Sequence, residues 1–281
     1  MTRNHFARRL FATVVLAGGV TLALDAGNAY APVFRARVPE ELSFAEPPLP
    51  PTSEFAVQLV LDDDMAEGDF GVLEDGQAKQ FLWFNRFSAS EPFRLQQVWV
   101  LFLPGPNVTA GAPIQLAIYH DPDSDPTNGA DLLQTFNRTI EVVDGVTFSI
   151  YDLTPAVEIP AGGNVLIGVV DRFVVSGVTS PTFPATVDTT ASQQRSWIAV
   201  WSGDPPAQPE LPADNLMILV DNAVPGLAGN WMIRGFGTPA SVLEIPVLGT
   251  PGLLILTVLL AGGALWNVHR RKTAAGPDLE R

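Results

Sequence analysis

From residue 54 to residue 240 apolar side chains come in short runs, and within the runs they alternate with polar ones. Ile114, Leu116 and Ile118 interleave with Gln115, Ala117 and Tyr119, the two-residue period of a half-buried strand. In a later run Trp197, Ala199 and Trp201 share one face and Ile198 and Val200 the other, so this strand is expected to be covered on both sides. The same pattern predicts strands over 56–61, 79–87, 94–103, 114–120, 132–143, 146–151, 164–171, 196–202, 216–220 and 231–236. Nowhere in this region do apolar residues recur at helical spacing over a window of about 11 positions. Many short strands in one unit, without the internal repeat of a propeller, indicate an all-β fold, a jelly-roll-like two-sheet sandwich.

The two ends follow a different pattern. Arg3, Arg8 and Arg9 precede the apolar run from Leu10 to Leu24, and small residues follow at Gly27, Ala29 and Ala31. Basic, apolar, then small is the order of a signal peptide, here residues 1–29. Cleavage is expected after Ala29, because a cut after Ala31 would place the Pro32 ring beside the scissile bond. Residues 30–53 contain Pro32, Pro39, Pro47, Pro48, Pro50 and Pro51 among acidic residues, which predicts an extended linker before the domain at 54–240. From Gly252 to Val268 the chain is apolar except for Thr257 and Asn267, and His269, Arg270, Arg271 and Lys272 follow at once. At about 1.5 Å per residue a helix there would be roughly 25 Å long, close to a hydrocarbon core. The cations after it place residues 273–281 in the cytoplasm as a short tail. The membrane is therefore the first expected partner.

Ile245, Pro246, Val247 and Leu248, then Gly252, a leucine-rich run with Ala-Gly-Gly-Ala, and finally Arg270, Arg271 and Lys272 resemble the PEP-CTERM sorting tails of exported bacterial proteins. The subtype most similar opens Ile-Pro-Thr-Leu, so Val247 stands in place of its Thr. The resemblance covers residues 245–272 and implies processing by an exosortase-type membrane enzyme. A second resemblance rests on Glu67-Gly68-Asp69-Phe70-Gly71, Trp83-Phe84-Asn85-Arg86-Phe87, residues 151–155 and 166–171, Ser192 to Trp197 and Gly229 to Gly235. Together these are similar to an uncharacterised domain found beside secreted bacterial peptidases. That resemblance implies a β-sandwich of accessory type with no assigned reaction.

Charge narrows the partners. Between residues 54 and 240, 23 Asp and Glu face 7 Lys and Arg, so nucleic acid is excluded as a partner because it needs cations to displace counterions from phosphate. The chain has no Cys, which excludes disulfides, thiolate metal sites and thiol nucleophiles. Divalent cations and glycans suit the field better.

The sharpest polar cluster follows the strand that ends at His120: Asp121, Asp123, Asp125, Asn128 and Asp131 alternate with turn-forming residues. Oxygens so spaced can converge on calcium, which takes six to eight of them. Pro126 and Leu132 occupy the positions where an EF-hand needs Gly and a closing Glu, so a looser calcium loop and a plain solvated turn both stay open. Asp62, Asp63, Asp64, Glu67 and Asp69 form a second acidic run with the same two readings. Calcium is thus the one cofactor the sequence suggests.

Catalytic patterns are sparse. His120 is the one His between the two ends, which excludes a multi-His zinc site, and no Gly-x-Ser-x-Gly elbow is present. Paired carboxylates of the glycosidase kind remain open, since spacing along the chain does not say which two face each other. Trp83, Trp99, Trp197, Trp201 and Trp231 serve either a core or a sugar-stacking platform. Three functions follow as expectations: a non-catalytic surface or matrix protein, adhesive or glycan-binding; a polysaccharide hydrolase; and a structural spacer.

Overall fold

The computed structural model describes residues 55–179, 182–223 and 228–240, together with the backbone pairing of three short segments before residue 38. Cleavage at Ala29, the sorting segment from Ile245 to Lys272 and the tail 273–281 lie outside the described residues, as does most of the linker. Among the described residues no helix is long and apolar enough to cross a membrane. Of the early segments, β1 (Val15–Leu16) pairs with β2 (Val20–Thr21), and β3 (Val33–Arg37) runs antiparallel to β5 (Gly68–Glu74).

The strands of the main body are β4 (Val57–Leu59), β5 (Gly68–Glu74), β6 (Gln77–Lys79), β7 (Leu82–Ser88), β8 (Phe93–Val100), β9 (Pro113–Asp121), β10 (Asp131–Thr139), β11 (Ser149–Ile159), β12 (Asn164–Val170), β13 (Ala185–Asp188), β14 (Ser196–Val200), β15 (Leu216–Leu219), β16 (Asn230–Trp231) and β17 (Ile233–Pro239). One turn of helix, α1 (Val220–Ala223), follows β15. A six-stranded sheet has the order β10-β9-β12-β7-β14-β15, and a four-stranded sheet the order β11-β8-β17-β4. A third sheet, β16-β13-β5-β3 with β6 on β5, joins this pair, an addition to the two sheets that the hydrophobic pattern predicts.

Why the pair stacks is legible in the side chains. Leu116 and Ile118 of β9, Val165, Ile167 and Val169 of β12, and Ile198 and Val200 of β14 meet Leu95 and Val98 of β8 and Val157 and Ile159 of β11 in one buried cluster. The inner faces of two antiparallel sheets thus make the core. β12 is buried at all seven positions because it lies between β9 and β7 and both its faces are covered. Gly168 within it lets the chain pass close to Leu82 and Phe84, since a Cβ there would lie 2.7 Å from the Leu82 Cδ1.

The outer face of the six-stranded sheet is apolar as well: Leu82, Phe84, Ala117, Tyr119, Leu166, Ala199 and Trp201 form a second cluster. A strap of chain after β14 covers it. Tyr119 donates its hydroxyl to the Pro209 carbonyl at 2.5 Å, Gln115 Nε2 donates to Ala207 O at 3.0 Å, and Ala130 bridges to Leu211. Arg172 fixes the strap's start by donating to the carbonyls of Pro205 and Pro206.

Register defines two poles of this sheet. At one, Ser88, Asn164 and Asp121 lie side by side; at the other are Leu82, Val170 and the end of β14. The seven residues of β7 separate the poles by about 20 Å at ~3.3 Å per residue. The described chain departs at the first pole: Ala240 N–H donates to Pro92 O, Gly162 N–H to Ala89 O, and Ala89 N–H to Gly163 O.

Candidate functional site

Three polar assemblies stand out against this scaffold. The first is the turn between β9 and β10. Asp121 closes β9 and is wholly buried, and neither of its carboxylate oxygens has a hydrogen-bond partner. Burial raises its pKa, and the neighbouring Asp123 carboxyl adds to the rise. Asp123 is exposed and held low, first by the Asn128 amide, which donates at 2.8 Å, and then by the Asp125 N–H at 3.1 Å. Asp125 Oδ1 accepts from the Thr127 N–H and hydroxyl. Asp131 is exposed at the start of β10, opposite His120 in register. The structure therefore brings Asp121, Asp123 and Asn128 together, and places Asp125 and Asp131 at its margins. His120 itself has Nε2 2.9 Å from Gly162 O.

The second assembly joins part of the other acidic run to Asp188, which lies far from it along the chain. Asp62 and Asp64 both accept from the Arg234 guanidinium, which lies 4.3 Å from the centre of the Phe148 ring, so these two carboxylates serve packing. Burial raises Asp62 even beside that partner. Asp63 and Glu67 turn instead toward Asp188 at the end of β13, where one oxygen of each lies within 4.8 Å of the others. Each carboxylate is already engaged: Asp188 accepts from Thr190 N–H at 2.8 Å, and Glu67 from Thr189 N–H at 2.7 Å. Glu67 is raised by burial and then by its acidic neighbours, against the pull of the Thr189 N–H. Asp188 was missed because the short run Ala-Thr-Val-Asp carries no acidic pattern, and β13 was not predicted as a strand.

The third assembly is a cavity of about 260 Å³ at the pole remote from Asp121. It lies between the β5–β6 hairpin, the residues after β12 and the first residues of the strap, and Glu74, Gln77, Lys79, Ser176, Ser202 and Asp204 line it. Buried Lys79 pairs with Glu74 and donates to Ser202 O at 3.0 Å, while Asn215 Nδ2 donates to the other Glu74 oxygen at 3.2 Å. Ser176 donates to Asp204. Val175 and Val178, 67% and 41% exposed, flank the rim residues Ser176 and Gly177. Nothing in the hydrophobic pattern marks this pocket, because its walls come from three separate loops.

The tryptophans go mainly to the core. Trp83 and Trp231 are fully buried, Trp99 packs 4.5 Å from Phe236, and Trp201 joins the cluster under the strap. Trp197 is half-buried and stacks on Phe84 at 6.4 Å and 8°.

No family model matches this chain, and no curated protein matches it. Among solved structures it is similar to the cysteine protease and lectin-like domains of a surface layer associated protein of Clostridium difficile, with a TM-score of 0.42 and 12% identity. The match covers 66% of this chain and spans 36% of that one.

Proposed function

We propose that this chain is an exported, non-catalytic surface or extracellular-matrix protein whose jelly-roll-like sandwich is a recognition module for a polar ligand of glycan type. The observation that carries the reading is the cavity at the pole away from the point where the chain leaves the sandwich. Its carboxylate, amide and hydroxyl groups suit sugar hydroxyls, and the exposed Val175 and Val178 offer an apolar rim for the carbon face of a ring. The tail from Ile245 to Lys272 supports anchoring in a membrane or processing by an exosortase-type enzyme, with the carboxyl end cytoplasmic beforehand.

A glycan array probed with the full chain, followed by a turnover assay on the glycans retained, tests this. Binding without turnover, weakened at least tenfold by Asp204→Ala and Gln77→Ala, is the expected result. Retention of no glycan returns the protein to the structural-spacer reading.

A second reading has one specific observation behind it: Glu74, at the end of β5, and Asp204, in the strap, line the same cavity, as a hydrolase acting on polysaccharide through paired carboxylates would require. Turnover abolished by both Glu74→Gln and Asp204→Asn would establish it in place of the first.

A further inference from the structure

A carboxylate that is buried without a hydrogen bond is costly, and one that also faces a second carboxylate is more so. Asp121 meets both conditions. Its neighbour in register is Asn164, a buried residue whose Nδ2 has no partner either, so the Asp121 carboxylate is not turned toward that amide. It is turned along the chain, into the turn, toward the Asp123 carboxyl and the N–H groups of Ser124 and Asp125.

The surroundings hold this arrangement in place. Gly163 packs directly on the root of the turn, where a Cβ would lie 2.3 Å from Asp121 O and 2.7 Å from the Pro122 Cα. Arg86 lies beneath, donates Nη1 to Ser124 O and keeps Nε without a partner. Among the described residues no Lys or Arg forms an ion pair with Asp121 or Asp123. Asp123 is fixed by the Asn128 amide and the Asp125 N–H, so its position relative to Asp121 does not depend on a loose side chain. Two pre-placed carboxylates, one of them buried with neither oxygen in a full hydrogen bond although the Ser124 and Asp125 N–H groups lie toward it, form the start of an oxygen shell that a hard cation completes with water.

We propose that the turn joining β9 to β10 is a site for a hard divalent cation of the calcium class, with the carboxylates of Asp121 and Asp123 as its protein ligands. Asp125 and Asp131 take no part: the first is committed to Thr127 and the second stands on the exposed start of β10. The site is independent of the glycan reading, since the cavity lies at the other pole.

The test uses the full chain in detergent, stripped with a chelator and then titrated with calcium chloride alone, followed by melting and by calorimetry. At calcium about a hundredfold above its Kd, the melting temperature should rise by roughly 5 to 10 °C. Asp123→Asn, an exposed substitution, should lose the rise and the heat of binding. Asp63→Asn, in the Asp188 group, should keep both. Asp121→Asn should also lose them; if it fails to fold, Asp123→Asn alone carries the comparison. Absence of any calcium-dependent shift or heat in the unaltered chain at millimolar ion overturns the site. A shift that survives in Asp123→Asn, or that Asp63→Asn abolishes, overturns its assignment to this turn.

Discussion

The side-chain amide of Asn85, buried in the middle of β7, donates to the carbonyl of Trp231 at 2.8 Å, and from the same nitrogen to Ile233 O at 3.0 Å. Asn85 Oδ1 accepts from the Ser196 hydroxyl at 2.6 Å, and that hydroxyl accepts from the Trp231 N–H at 3.0 Å. The network serves the backbone where β16 gives way to β17, at Met232, and so joins the six-stranded sheet to the other two. Replacing Asn85 by Leu keeps volume but takes a donor from two buried carbonyls and the acceptor from the Ser196 hydroxyl. A loss of about 3 kcal/mol is expected from the cost of unsatisfied groups, measured as a lower urea midpoint.

Tyr119 ties the strap to the sheet. Phe at this position keeps the ring in its cluster and removes only the bond to Pro209 O. Stability should fall by about 1–2 kcal/mol. Amides of residues 205–211 should exchange faster than in the unaltered chain, whereas those of β12 should not change; equal acceleration in both would show that the hydroxyl does not hold the strap locally.

Gly168 sets how closely β12 and β7 approach. An added Cβ would meet Phe84 Cβ at 2.8 Å and Trp83 O at 3.1 Å as well as Leu82, in a region where no neighbour is free to move. Gly168→Ala should cost about 1–3 kcal/mol by overpacking, read from denaturant unfolding. Gly203, with nothing near its Cβ position, supplies the control, and Gly203→Ala should be close to neutral.

Asp171 gives the pH dependence a sign. It is completely buried after β12, and burial holds its pKa well above the usual range, although Oδ1 accepts from Phe81 N–H at 2.8 Å. The folded chain therefore keeps a proton that the unfolded chain releases above about pH 4. The contribution to stability is full below that pH and is lost as the pH rises through the raised value. Asp171→Asn keeps the acceptor and cannot ionise. Its melting temperature should exceed that of the unaltered chain at pH 8 and converge with it near pH 4, and a constant difference across this range would refute the assignment.

Much of the sandwich could be read directly from the chain. Alternation found β14 with both faces covered and separated the two faces of β9, but the half-buried strand expected there is buried on both sides: Ile114, Leu116 and Ile118 enter the main core, and Ala117 and Tyr119 enter the cluster that the strap covers. It joined β6 to β7, and β16 to β17, because a break of one or two residues at Gln80–Phe81 or Met232 does not interrupt an apolar run. It missed β5, whose burial is almost continuous and whose start lies inside an acidic run, so neither period nor composition announces a strand. The turn after Asp121 stood out because it is local in sequence. The Asp63, Glu67 and Asp188 group did not, since it depends on β13 pairing with β5 across more than a hundred residues. The cavity around Lys79 is harder still, being defined by three loops with ordinary polar compositions.

Ala240, Pro92, Ala89 and Gly163 form a short relay of backbone contacts that ends on Asp121. The aspartate turn thus shares its backbone support with the last described residue, while the cavity lies about 20 Å away along β7. A cation seated in the turn would therefore slow amide exchange around Ala89, Gly163 and Ala240 and leave that around Lys79 unchanged, so that order gained at one end of the sandwich is not passed to the other.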